Sequence, residues 1–140
     1  SSLICNDFWC MPRNSPGGNP YHQIELAKNG VDVLFVSSNC NGEEKDELAK
    51  VWNENHLQVF ARELGMYIVH SGSATSINHK DTDFLQCSSG IVGPDGEWIA
   101  KCKDTGMDSV TVDLDIKPMF AVEKASSHIF VRKDKDEDYS

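Results

Sequence analysis

Apolar and polar positions along the chain switch between a two-residue and a helical period, and the switches mark out an ordered series of elements. Ser2-Leu3-Ile4-Cys5 is a short apolar run that predicts a strand. Residues 11–20 hold three prolines and two glycines and can only be a loop. Residues 21–29 follow Pro20, carry Ile24, Leu26 and Ala27, and end at Gly30, the pattern of a capped helix. Residues 31–36 are β-branched and nearly all apolar, as in a buried strand, and Ser37-Ser38-Asn39 closes them. Helix, glycine and buried strand in that order are the grammar of an α/β protein. Residues 43–64 then place Leu48, Val51, Trp52, Leu57, Phe60, Ala61 and Leu64 at mostly helical spacing, up to Gly65. A strand is predicted over 66–70, and small residues follow it at 71–74.

The second half changes character. Residues 89–92 and 97–102 flank Gly93-Pro94-Asp95-Gly96, which predicts a hairpin about a Pro-Asp-Gly turn. Residues 109–116 alternate with period two and predict one more strand. The mixed-charge stretch 132–140 cannot build a core and is expected to be a tail beyond a single domain over 1–131. No internal repeat interrupts this order.

Composition narrows the function classes. The chain has 140 residues, 39% hydrophobic, which suits one domain with a modest core. Its 22 acidic against 13 basic residues give a net charge of −9, and such a field repels phosphate backbones and anionic membranes. Nucleic acid and membrane are therefore not expected as partners. No apolar run approaches the roughly 18–20 residues of a spanning helix, and residues 1–10 lack the basic-then-apolar order of a signal peptide. Five cysteines at irregular spacing argue against a disulfide scaffold and for a reducing, cytoplasmic setting. Cysteine reactivity then becomes the informative question.

Cys5 ends an apolar strand just before a Gly- and Pro-rich loop, a place where a nucleophile can be presented. A thiol there sits beside backbone N–H groups of the turn, which stabilise both a thiolate and an oxyanion. The bland alternative is a small core residue.

The order of segments resembles the carbon–nitrogen hydrolase (nitrilase) superfamily. Leu3-Ile4-Cys5-Asn6-Asp7 is similar to that family's nucleophile strand, and residues 24–38 to its helix, Gly-Ala-Asp and buried strand. Ala61-Arg62-Glu63 leading into residues 65–69 resembles its Ala-Arg helix and following strand. Residues 87–100 look like its Ser-x-Ile-x-x-Pro-x-Gly hairpin, and Val112-Asp113-Leu114-Asp115 like its closing strand. The helix lacks the family's usual Glu-Asn after Ala-Arg, and the loop over 11–20 is unusually rich in Pro and Gly.

The resemblance implies a four-layer αββα sandwich, of which residues 2 to about 116 supply the C-terminal half. It implies Cys5 as the nucleophile, the backbone N–H of Asn6 as an oxyanion donor, and Ser38 and Asn39 as pocket-lining residues. The family's Glu base, its Lys and often a second Glu lie upstream of the nucleophile strand, so only the cysteine carries over onto this sequence. The implied reaction is hydrolysis of a small amide or carbamoyl substrate through an acyl-enzyme, without a cofactor. Cys5-Asn6-Asp7-Phe8-Trp9 is more similar to amidase-type than to nitrile-cleaving members. A half domain leaves apolar faces uncovered, so a homodimer, or pairing with a missing N-terminal half, is expected. The family commonly dimerises through the two helices following the nucleophile. The alternative from another class is a truncated, non-catalytic relative that serves as an interaction module.

Other residues have simpler accounts. Cys5, Cys10 and His22 hint at zinc, but no second ligand pair follows, and no metal is expected. A papain-like pairing of a cysteine with His70 or His128 lacks a local signature. His70 reads as a hydrogen-bonded core or rim residue, whereas His22, His56 and His79 fall in segments expected to be exposed. Asp113 and Asp115 share the solvent face of a strand, and Glu43, Glu44, Asp46 and Glu47 complement a helix dipole. Trp9, Trp52 and Trp98 are expected in the core or an interface.

Overall fold

A computed structural model describes residues 1–9, 22–39, 47–73, 87–104 and 106–116. Its centre is one five-stranded sheet in chain order, formed by β1 (Ser2–Ile4), β2 (Val33–Ser38), β3 (Tyr67–Gly72), β4 (Gly90–Val92) and β5 (Trp98–Lys101). The first three strands are parallel, and β3, β4 and β5 are antiparallel. The helices are α1 (Asn6–Trp9), α2 (His22–Lys28) and α3 (Glu47–Leu64). Parallel strands need long crossovers, and α2 and α3 lie in those between β1, β2 and β3. Gly30 and Gly65 take positive φ at the ends of α2 and α3, the left-handed C-cap that a side chain disfavours. Both predicted helices are present, and the part of the second over 43–46 lies outside the described residues, as do the loop over 11–20 and the tail over 132–140.

Register assigns the faces. Leu3, Val36 and His70 are partners across three strands, as are Leu34, Ile68 and Val92, so they share one face. That face is buried with Leu57, Ala61 and Leu64 of α3 and Ala27 of α2. The opposite face carries Ile4 and Phe35, which are 68% and 53% exposed. One apolar face is thus covered by helices, while the other is open over β1 and β2 among the described residues, although Tyr67 and Ile91, on that same face by register, are buried at 7% each.

Two expectations change. Residues 109–116 keep the alternation, with Val110, Val112 and Leu114 half-buried between exposed neighbours, but they form no ladder with the sheet. Period two reports which side chains turn inward and not whether a neighbouring backbone is there to pair. The segment is fastened by the Tyr67 hydroxyl, which donates to the Asp115 carbonyl at 2.8 Å, and by Leu114 against the core. Asp113 and Asp115 are exposed, as expected. The second strand also runs two residues further than its apolar stretch, so Ser37 and Ser38 belong to β2.

Candidate functional site

Cys5 stands where β1 ends and α1 begins. Its N–H donates to the Ser37 carbonyl at 2.8 Å, continuing the β1–β2 ladder one step past Ile4 and Ser37. Its carbonyl then accepts from the N–H groups of Phe8 and Trp9, which starts the helix. Between these bonds the backbone reverses, and Cys5 has φ of 46°, the one positive value among the described non-glycine residues. Such a conformation costs about 1–3 kcal/mol and persists only where its surroundings enforce it. The result is a strained strand-to-helix turn with the side chain at its apex, half-buried. The N–H groups at the start of α1, including that of Asn6, are those a helix's own ladder leaves unused.

The turn is braced from behind. Phe8 and Trp9 are buried and meet edge-on at 5.0 Å between ring centroids. The Phe8 carbonyl accepts from the buried side chain of Gln23 on α2 and from the ring of His56 on α3. His56 was expected at the surface and lies instead among Phe8, Trp9, Trp52 and Phe60, at 5.7, 5.6, 5.0 and 4.6 Å between centroids. Its Nε2 is buried without a hydrogen-bond partner. Burial therefore lowers its pKa to about 4, against the opposing pull of the Phe8 carbonyl. The aromatic residues four positions to either side on α3, Trp52 and Phe60, were the available signal that His56 faces inward. Trp9 is in the core as expected, whereas Trp52 is 43% exposed.

Ser38, at the end of β2, is the next register position after the Ile4–Ser37 pair and so lies beside Cys5 across the strands. Its Oγ is 2.6 Å from Nε2 of His70, which is 2% exposed. Nδ1 of His70 lies 2.9 Å from the Ser88 carbonyl, and the ring packs edge-on against Trp9 at 6.2 Å. His70 is the hydrogen-bonded core residue expected, with the thiol of Cys87 near its Nδ1 at 3.7 Å. Asn39 is exposed, and its Oδ1 accepts from Ser73 at 2.6 Å. Cys5, Ser38, Asn39 and the start of α1 are therefore gathered at one end of the parallel strands, where loops line sites in α/β sheets.

Behind His70 runs a charged network that sequence reasoning missed. Ser88 Oγ is 2.7 Å from Glu54 and 2.8 Å from Asp104, which in turn meet Lys101 at 2.8 Å and Lys50 at 2.7 Å. Lys50, helped by the Ser88 hydroxyl, holds the Asp104 carboxyl below its usual range despite partial burial. These bonds fix the Ser88 backbone, and with it the His70 ring. A separate cavity of about 410 Å³, bordered by Ser71, Ser89, Cys102 and Asp108, does not include Cys5. The Cys102 thiol has its pKa raised by burial and then by Asp108, which disfavours its thiolate. Among the described residues no cluster of His, Cys, Asp or Glu is arranged to hold a metal ion, and no helix is long and apolar enough to cross a membrane.

Comparison with known proteins gives this geometry a context. The chain is similar in structure to Nit3 of Saccharomyces cerevisiae, a member of branch 10 of the nitrilase superfamily, with a TM-score of 0.68 at 15% identity over 91% of this chain and 41% of that one. A carbon–nitrogen hydrolase from Helicobacter pylori G27 gives 0.63 at 18% identity, covering 89% of this chain and 42% of that one. The NitFhit protein of C. elegans gives 0.61 at 20%, covering 87% of this chain and 26% of that one. The fold is thus of the nitrilase type, and the chain spans less than half the length of these neighbours. No curated protein matches the chain. A sequence model described as "Carbon-nitrogen hydrolase" matches residues 16–122, most of the chain, though the match starts after Cys5. With the matched segment and the nitrilase-type sheet in agreement, the chain belongs to the carbon–nitrogen hydrolase family.

Proposed function

We propose that this chain carries the nucleophile half of a hydrolase acting on non-peptide carbon–nitrogen bonds, with a small amide or carbamoyl compound as substrate. Cys5 attacks the carbonyl carbon as its thiolate, the nitrogen group leaves, and water hydrolyses the resulting thioester. The N–H of Asn6 stabilises the developing oxyanion, while Ser38 and Asn39 contact the substrate. No cofactor takes part. The Glu base and the Lys that the resemblance implies come from the other half of the catalytic domain, which also covers the sheet face bearing Ile4 and Phe35. Without that half the chain binds and acylates but turns over poorly.

The observation that carries this reading is the positive φ of Cys5 at a strand-to-helix turn, because strain held by surrounding bonds is what a presented nucleophile needs and a mere core cysteine does not. Five cysteines at irregular spacing support a reducing, cytoplasmic setting. An activated acetyl ester tests the mechanism, since its leaving group needs little acid catalysis. Peptide mass mapping is expected to find the acetyl group on Cys5 first. Acetylation spread equally over Cys5, Cys87 and Cys102 contradicts the assignment.

A further inference from the structure

His56 is a titratable group that the chemistry above leaves idle, and its place among aromatic rings is costly. Phe8, Trp9, Trp52 and Phe60 form a surrounding that a phenylalanine would suit, and Nε2 is buried with no hydrogen-bond partner among the described residues. What the imidazole supplies and a benzene ring cannot is the bond to the Phe8 carbonyl. Since Nε2 is unpartnered that bond runs through Nδ1, and because a carbonyl only accepts, Nδ1 carries the proton. Burial keeps the ring neutral near pH 7, so this is its single N–H. The bond is not needed to satisfy a buried acceptor, because Gln23 on α2 already donates to the same oxygen. A second donor, coming from α3, instead fixes the direction of the carbonyl by engaging its other lone pair.

That carbonyl belongs to the residue that holds the strained turn. The Phe8 N–H donates to the Cys5 carbonyl at 2.9 Å, while the Cys5 N–H is tied to Ser37 on β2. Cys5 is thus stretched between the sheet on one side and Phe8 on the other, and its φ of 46° lasts only while Phe8 keeps its place. Packing of the Phe8 ring holds the side chain but does not set the direction of its peptide. We infer that His56 is a positioning residue whose Nδ1–H, by pinning the Phe8 carbonyl, keeps the Cys5 thiol presented at the turn. This rests on the reading of Cys5 as the nucleophile, and it gives α3 a share in the reactivity of that thiol that is separable from its share in stability.

Two measurements on the full chain separate those shares: urea unfolding at pH 7, and iodoacetamide alkylation with the rate at Cys5 read against Cys102 by mass mapping. His56→Phe keeps a ring among the aromatic residues and removes both the unpartnered nitrogen and the donor. It is expected to unfold at the same or a higher urea concentration, yet to alkylate Cys5 about three- to tenfold more slowly, the range of one neutral hydrogen bond. His56→Asn puts an amide N–H near the old Nδ1 position but leaves a hole among the rings, so it is expected to be less stable and to keep the wild-type rate at Cys5. His56→Gln carries the same amide near the old Nε2 position, away from the Phe8 carbonyl, and is expected to be slow like His56→Phe. The contrast between Asn and Gln stands even where the Phe variant does not fold. If Cys5 outpaces Cys102 in wild type and is equally fast in His56→Phe and His56→Gln, the inference fails and the nucleophile stands. Rates that simply track stability across the variants also overturn it, because a purely structural role predicts that pattern. Should wild-type Cys5 react no faster than Cys102, the nucleophile reading falls and the inference falls with it.

Discussion

At the scale of single residues, the candidate site is held by side chains that do no chemistry themselves. His56 shows the cost of that arrangement. Its folded pKa of about 4 lies below the ordinary 6.5, so the unfolded chain binds more protons between those values and stability rises with pH across that window. His56 therefore contributes its full share above about pH 6.5 and loses it as pH falls towards 4. Urea unfolding between pH 4 and 7 is expected to show this slope, and His56→Phe to flatten it. An unchanged slope in the variant places the titrating group elsewhere. Cys5 could be nominated from the sequence because it ends an apolar strand, whereas Ser38 and Asn39 were nominated by the resemblance. His56 could not be placed from polarity alone, since a ring that is hydrophilic in water is here satisfied at one nitrogen by the Phe8 carbonyl.

Among the elements, the helices and the hairpin were legible because glycine and proline punctuate them and each has a period of its own. Residues 109–116 were not, because ladder formation depends on a partner that no local pattern reports. Gly90 at the start of β4 shows how tightly the hairpin is drawn. A Cβ there would fall on the Ala100 carbonyl oxygen, with Trp98 2.9 Å away. Gly90→Ala is thus expected to cost about 1–3 kcal/mol, as overpacking does, by shifting β5 away from β4. Thermal and urea unfolding measure this, and a neutral substitution shows the hairpin to be looser than described. The Ser88 network sits at the base of the same hairpin, so a displaced β4 is also expected to disturb His70.

For the whole molecule, the sheet face left open over β1 and β2 dominates. Ile4, Phe35 and Ile99 are 68%, 53% and 45% exposed, and exposed apolar surface of this kind marks an interface. In a four-layer sandwich that face is where a second sheet packs, and the chain spans under half the length of its structural neighbours. The isolated chain is expected to self-associate, and Phe35→Lys to shift it towards monomer in light scattering. A wild-type chain that stays monomeric at high concentration contradicts the uncovered face. The resemblance reached this level from the order of five segments, whereas the bracing of Cys5 by Phe8, Gln23 and His56 required coordinates.

The central claim is that the turn after β1 presents an activated thiol. Its most direct measurement is the rate of iodoacetamide labelling at each cysteine of the wild-type chain near neutral pH. Cys5 is expected to outpace Cys102, whose thiolate is disfavoured by burial and Asp108, and the buried Cys87. Equal rates at Cys5 and Cys102, or a Cys5 that labels only after unfolding, contradict the account.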